Sequence, residues 1–145
     1  MTALRERQLE ISLPANAVGR RFDGDGHGLS HCMKAVDFIV ELPNRIYFIE
    51  IKDPDESVDN SNKVIFRDRL ISGKIDGHLK LKFRDSWIYE WSERRVSKPV
   101  FYLVLIAIEQ LTAADLTVRK ASLDKQLPLL GPGNRPWQRK TRLSP

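Results

Sequence analysis

The chain contains 145 residues, of which 41% are hydrophobic and 30% charged, and its formal net charge is +5. This length and composition suit one globular domain and exclude a wholly disordered chain, and a single cysteine excludes an internal disulfide. The longest apolar run, Val100 to Ile108, has nine residues, whereas a membrane span takes roughly 20. We therefore expect no membrane partner, no secretory signal and a cytoplasmic location.

The charge is divided unevenly along the chain. Residues 1–60 contain seven basic and eleven acidic side chains, a net charge of −4, whereas residues 61–145 contain seventeen and eight, a net charge of +9. An acidic first half suits a bound cation, and a basic second half suits a polyanion. A dimer interface with balanced charges would show the same distribution.

The first predicted element is a short amphipathic helix that begins at Leu4 and stops at Pro14. Residues 19–28 are rich in glycine and aspartate, which favours a turn or loop. Residues 35–42 and 45–52 are two β-branched and aromatic runs with a Pro-Asn turn between them. We predict that these two runs form a β-hairpin.

The clearest helix lies in the second half of the chain. An apolar residue recurs at every fourth position from Ile71 to Trp91, which predicts a stripe along one helical face. Glycines near its start divide the region into helices near residues 62–72 and 74–94. The tryptophans at its end continue the stripe, so we interpret both as core residues and expect only Tyr89 to be exposed.

Other segments surround this helix. Residues 53–62 contain proline, serine and four acids, which predicts an exposed connection. Residues 100–108 form an unbroken apolar run, typical of a strand buried on both faces. Thr112 and Asp115 have the spacing of a capping box that begins a last helix ending near Gln126.

No internal repeat or linker divides the chain, so we predict one domain over residues 1–127 with the element order α-β-β-α-β-α. Residues 128–145 contain glycine, proline and four basic side chains, and we expect them to form a basic tail.

Three ionisable residues interrupt the predicted hairpin. Strand alternation places Glu50 and Lys52 on the same face of the second strand. A turn at residues 43 and 44 sets Asp37 opposite Glu50. Burying charged groups costs several kcal/mol each unless they are paired or bind an ion, and a hard cation such as Mg²⁺ or Mn²⁺ prefers oxygen ligands. We therefore predict a cation site with a lysine beside it, although a salt bridge on a solvated sheet face is the simpler alternative.

Asp37, twelve further residues and then Glu50-Ile51-Lys52 resemble the motif of the PD-(D/E)xK nuclease superfamily, which has the restriction-endonuclease-like fold. The resemblance implies an α/β protein whose central mixed sheet contains a hairpin or meander flanked by helices. Residues 1–108 supply the implied order of elements, with the stretch 15–30 leading into or forming the first strand. Val36 stands where the motif has proline.

The resemblance also implies a role for each motif residue. Asp37 and Glu50 would bind Mg²⁺ or Mn²⁺ with help from the Ile51 carbonyl. Lys52 would orient or deprotonate the attacking water.

Auxiliary residues are less well defined. Many members of the superfamily add a glutamate from the N-terminal helix, and Glu6 and Glu10 are equal candidates here. His31 and Asp23 are further candidates for an auxiliary role near the motif strand.

The implied reaction is hydrolysis of phosphodiester bonds, usually in DNA and sometimes in RNA, and a homodimer that cuts both strands fits a chain of this size. Positive charge is needed to hold the phosphates. The helical region and the tail supply it through Lys63, Arg67, Arg69, Lys74, Lys80, Lys82, Arg84, Arg94, Arg95, Lys98, Arg135, Arg139, Lys140 and Arg142.

Two other functions stay open. The same fold with an inactive site would act as a nucleic-acid-binding or assembly module. A partner-binding protein would use the apolar helical stripe and the acidic half to contact another chain.

Overall fold

The protein is a mixed α/β molecule, which confirms the predicted class at that level. The computed structural model describes residues 3–6, 9–24, 28–52, 65, 68–107, 111–128, 130–135 and, for the backbone alone, 140–144. The strands are β1 (Ala3–Glu6), β2 (Leu9–Ser12), β3 (Val18–Arg21), β4 (Phe38–Leu42), β5 (Arg45–Lys52), β6 (Val100–Ile106) and β7 (Lys140–Ser144). The helices are α1 (Lys74–Ser92) and α2 (Ala113–Gln126), and residues 68–72 are also helical.

Five strands form one sheet in the order β3-β4-β5-β6-β7, and β1 and β2 form a separate hairpin. The β3-β4-β5 meander is antiparallel, whereas β6 runs parallel to β5 and β7 parallel to β6. The chain passes through α1 between β5 and β6, since a parallel pair requires a long crossover. A restriction-endonuclease-like core stays a prediction.

Apolar side chains cover both faces of the sheet. On the α1 face, the ring centroid of Phe83 lies 5.7 Å from that of Phe48 and 5.1 Å from that of Tyr102. Helix α2 adds the buried Leu123 to this cluster. The β1–β2 hairpin packs against the other face, around Ile49. The motif strand β5 is therefore covered on both sides.

Two predictions for the second half of the chain are confirmed. Residues of β6 contact the clusters on both faces of the sheet, with Tyr102 on one and Leu103 on the other. Helix α2 begins with a capping box in which Thr112 and Asp115 bond each other's backbone N–H groups, and it ends at Gln126.

The N-terminal segment is a β-hairpin and not the predicted helix. Leu4 pairs with Ile11, and Glu6 with Leu9, in antiparallel register. Leu9, Ile11 and Leu13 are separated by single polar residues, a period of two that suits a strand. The strand conformation prevails because it places these apolar side chains over the second face of the sheet.

The apolar stripe of α1 leaves the core before the helix ends. Four residues turn an α-helix by about 400°, so a stripe with this spacing drifts by about 40° at each step. Ile75 and Phe83 are buried, but Trp91, four steps beyond Ile75, is 62% exposed. Tyr89 is half-buried and contacts the Phe22 ring edge to face at 5.3 Å. The predicted core position of Trp91 and surface position of Tyr89 are wrong.

Part of the predicted C-terminal tail belongs to the sheet, because Lys140–Ser144 pair with β6 from Phe101 to Leu105. A basic segment is compatible with an edge strand, where one side of the backbone faces away from the sheet. The connection predicted at residues 53–62 lies outside the described residues, as do Lys63, Arg67 and Arg139.

Candidate active site

The β4–β5 hairpin brings the two predicted carboxylates together. Phe38 pairs with Ile49, which is the register predicted from the sequence. One residue further along this register, Asp37 lies opposite Glu50. The predicted alternation along β5 is also confirmed, since Ile49 and Ile51 lie in the cluster that packs under the N-terminal hairpin. Glu50 therefore faces α1.

Asp37 is a buried carboxylate, 5% exposed, that joins three segments. Its Oδ2 accepts a hydrogen bond from the Ile51 N–H at 2.7 Å, and its carbonyl accepts one from the Phe22 N–H at 2.8 Å. The side chain of Asp23, in the segment after β3, is hydrogen-bonded to that of Asp37. Burial, this hydrogen bond and the charge of Asp37 raise the pKa of Asp23 from 3.8 to about 6. Below that pH the Asp23 carboxyl is protonated and donates to Asp37.

Glu50 is 1% exposed and is contacted by two ammonium groups. Its Oε1 lies 2.6 Å from the Nζ of Lys82 on α1 and 2.9 Å from the Nζ of Lys52. Its Oε2 is buried and has no hydrogen-bond partner among the described residues. Burial raises the pKa of Glu50 above 4.5 against the opposing effects of Lys52 and Lys82, and Asp37 adds to the rise.

Lys52 and Ile51 occupy positions suited to their predicted roles. The Lys52 side chain is 18% exposed beside Glu50. Its carbonyl accepts a hydrogen bond from the Ala107 N–H at 2.7 Å, so its backbone polar groups face β6. Because these groups alternate along a strand, the N–H and C=O of Ile51 face β4, where the N–H bonds Asp37. The Ile51 carbonyl is therefore on the Asp37 side of β5.

Contacts distinguish the two candidate N-terminal glutamates. Glu6 on β1 accepts a hydrogen bond from Arg21 Nη1 at 2.8 Å, and Arg21 Nε lies 3.5 Å from Asp23 Oδ1. Burial and Asp37 are the main causes of the raised pKa of Asp23, and the negative charge of Glu6 makes a smaller contribution in the same direction. Glu10 pairs with Arg5 of the same hairpin at 2.8 Å. The structure thus links Glu6 to the carboxylates, from a strand and not from a helix.

The two auxiliary candidates, Asp23 and His31, differ in their surroundings. Asp23 is brought to Asp37, as described above. His31 lies in the exposed turn at residues 30–32.

Helix α1 supplies a site residue that the sequence did not single out. Lys82 contacts Glu50, yet in the sequence it is one of many basic residues of the helical region. The one usable signal is that Lys82 follows His78 by four residues, which places both on one face of the helix after the motif.

The donor chemistry of the site suits a hard divalent cation, which prefers oxygen ligands and offsets the repulsion between carboxylates. Glu50 Oε2 offers such an ion a buried oxygen that no described residue engages, whereas the Asp23 and Asp37 side chains are hydrogen-bonded to each other. The remaining oxygens are engaged, Asp37 Oδ2 by a backbone N–H and Glu50 Oε1 by two lysines. Within the described part of the chain, no group of three or more His, Cys, Asp or Glu side chains is placed to hold a metal ion.

No family model matches the chain. Comparisons with curated proteins and with solved structures also give no match. The PD-(D/E)xK resemblance therefore stays a prediction from the motif, and the function has to be argued from the geometry of the site. No helix in the described ranges is long and apolar enough to cross a membrane.

Proposed function

We propose that the protein is a metal-dependent nuclease that hydrolyses phosphodiester bonds, with DNA as the expected substrate. The observation that carries the proposal is the pair Asp37 and Glu50 in a largely apolar hairpin, with Glu50 Oε2 buried and unpaired by any described residue. An unsatisfied buried polar group costs about 1–3 kcal/mol. A bound ligand that pairs with this oxygen explains why a carboxylate is kept there.

The motif residues divide the work of the reaction. Asp37 and Glu50 would hold Mg²⁺ or Mn²⁺ together with the Ile51 carbonyl. When bound, the cation supplies a Lewis acid for the phosphate and lowers the pKa of a coordinated water. The Lys52 ammonium group, 2.9 Å from Glu50 Oε1, is placed to orient the attacking water and to stabilise negative charge on the phosphate.

The proposal includes a restriction-endonuclease-like core. The antiparallel meander β3-β4-β5, the crossover helix α1 and the parallel strand β6 support it, since they carry the motif at the end of the hairpin. The N-terminal hairpin then takes the place of the helix that precedes the meander in the superfamily. The predicted homodimer and the cytoplasmic location belong to this proposal as well.

Cleavage assays test the proposal. Plasmid DNA, single-stranded DNA and RNA are incubated with the purified chain in Mg²⁺ or Mn²⁺. We expect cleavage that Asp37→Asn reduces by at least about 100-fold, because the buried carboxylate is lost from the site. The matched control is Glu10→Gln, which removes an exposed carboxylate that pairs only with Arg5 among the described residues. Cleavage that survives Asp37→Asn unchanged, or no cleavage of any of the three substrates, would contradict the proposal.

The second candidate function is a nucleic-acid-binding or assembly module with an inactive site. The contact of both Lys52 and Lys82 with Glu50 favours it, because the lysines partly neutralise that carboxylate without a metal ion. Calorimetric titration with Mn²⁺ separates the two functions. A nuclease should bind Mn²⁺ in a manner that Glu50→Gln abolishes, whereas an inactive site should show no binding that depends on Glu50.

A further inference from the structure

Three lysines lie near a histidine of α1. This basic cluster consists of Lys34, Lys52, His78 and Lys82. His78 lies on α1 with much of its side chain exposed. Its remaining burial lowers the pKa of the imidazole most, and the positive charges of Lys52, Lys82 and Lys34 lower it further. The three lysines are therefore close enough to His78 for their charges to act on its imidazole.

Backbone contacts hold Lys34 in this cluster although it is distant from α1 in the chain. The Lys34 N–H donates to Asp85 Oδ2 at 2.9 Å, and the Val36 N–H donates to Ser86 Oγ at 3.0 Å. Ser86 Oγ donates in turn to the Lys82 carbonyl at 2.6 Å. The segment that leads into Asp37 is thus bound to α1 one turn from Lys82.

The cluster has more positive charge than Glu50 can neutralise. The side chains of Lys52 and Lys82 are 18% and 15% exposed, and both ammonium groups contact the same Glu50 oxygen. Asp37 near Glu50 and Asp85 near Lys34 offset part of the positive charge. Among the described residues only Glu50 contacts the Lys52 and Lys82 ammonium groups, so each keeps N–H donors for an anion. Partly desolvated like charges repel one another unless an anion lies between them. A phosphate supplies that charge and several acceptor oxygens for ammonium and imidazole donors.

We propose that Lys34, His78 and Lys82 bind a phosphate group of the polynucleotide backbone on the α1 side of Glu50. This inference rests on the proposed function and gives the substrate a position in the site. The carboxylates of Asp37 and Glu50 face the reacting phosphate, and the three α1-side residues hold a phosphate next to it.

Helix α2 provides a control for the loss of one lysine charge. Lys125 is exposed in the last turn of this helix. Helix α2 contacts the flank of α1 that carries Asp76, since Arg119 and Ser122 bond Asp76 at 3.2 and 2.7 Å. Lys125→Ala removes the same charge without touching the basic cluster.

Fluorescence anisotropy with labelled single-stranded and duplex DNA, in the Asp37→Asn background and with EDTA, measures binding apart from cleavage. Each lost ionic phosphate contact should reduce the slope of log K against log salt by about 0.7 to 0.9. We expect this reduction for Lys34→Ala and for Lys82→Ala, and recovery of the slope with Lys82→Arg. His78→Ala should weaken binding by about 5-fold with little change in slope, because a neutral imidazole releases no counterion. Lys125→Ala should change neither quantity.

The failure of this inference differs from the failure of the proposed function. If Lys82→Ala and Lys125→Ala have equal slopes in folded protein, as judged by circular dichroism, the proposed phosphate-binding site is wrong even if the wild-type chain cleaves DNA. Absence of binding to DNA at low salt also overturns it. If the salt dependence of binding becomes weaker in the variants as expected but the wild-type chain cleaves no substrate, the phosphate-binding site is supported and the nuclease function is wrong.

Discussion

Two buried glutamates of this protein each contact two cations, but they use their oxygens differently. Glu90 on α1 is 2% exposed, and its Oε1 accepts a hydrogen bond from Arg20 while its Oε2 accepts one from Arg95. Glu50 on β5 receives both of its lysines on Oε1, and its Oε2 is unpaired within the described ranges. Both oxygens of Glu90 therefore have a cationic partner, whereas only one oxygen of Glu50 has a partner among the described residues.

The surroundings of Glu90 explain the difference. Arg20 lies over the Phe22 ring at 5.5 Å, and Arg95 over the Tyr89 ring at 5.8 Å, while the two rings contact each other. Glu90, its two arginines and the two aromatic rings therefore form one connected cluster that joins β3 to the C-terminal end of α1. A buried ion pair of this kind is expensive to break, so it serves the structure. The open oxygen of Glu50 has no such structural use, which is why we place function there.

Exchanging each glutamate for glutamine gives the largest expected contrast. Glu50→Gln should lower the rate of DNA cleavage by at least about 100-fold, because it removes a carboxylate that the reaction uses. Glu90→Gln should keep the rate within about 3-fold of wild type at a temperature where the variant is folded. Rates measured side by side on one plasmid substrate check this. Equal losses in the two variants would remove the distinction between a functional and a structural glutamate.

The same pair of variants should reverse their order in stability. Glu90→Gln should lower the free energy of unfolding by about 2 kcal/mol, since charge-assisted bonds to two arginines are weakened, with allowance for the half-exposed guanidinium groups. Glu50→Gln should cost less than about 1 kcal/mol, because burial disfavours the charged carboxylate more than its two lysines favour it, as the raised pKa of Glu50 indicates. Urea unfolding monitored by tryptophan fluorescence measures both. A larger loss for Glu50→Gln would contradict the comparison.

The smallest expected effect concerns Asp23, which shares a hydrogen bond with Asp37. Its pKa is about 6 in the folded protein and 3.8 as the ordinary value, so the folded state binds a proton that the unfolded chain releases. Stability is therefore fully present below about pH 4 and falls as the pH rises through about 6, by about 1 kcal/mol after allowance for solvent screening.

Asp23→Asn should remove this loss of stability at rising pH, because asparagine does not titrate. Urea unfolding at several pH values, with EDTA present, should show the variant gaining on wild type by about 1 kcal/mol between pH 4 and 7. Glu10→Gln serves as the control, because Glu10 is paired with Arg5 on the hairpin surface and should follow wild type. A constant difference between Asp23→Asn and wild type across this range would show that the proton is not held between the two carboxylates.

Local patterns were sufficient for the part of the site that lies on one hairpin. The Pro-Asn turn and the strand alternation predicted that Asp37 stands opposite Glu50, and both features are present. The same kind of reasoning failed for the N-terminal segment, because Leu9 and Ile11 suit either a short helix or a strand until a sheet face is available to cover. It failed at Trp91 because a stripe with four-residue spacing rotates away from the core.

The sequence on its own thus determined the mixed α/β class, the hairpin register and the pairing of two acids with one lysine. These features depend on periodicity and on a turn, which act over a few residues. Only the tertiary structure decided that Lys82 contacts Glu50, that the Lys34 backbone is bound to α1, that Asp23 reaches Asp37, and that Glu90 is paired with two arginines. These groups are distant in the chain, and their contacts arise from the packing of α1 against the sheet, which leaves no local pattern in the sequence.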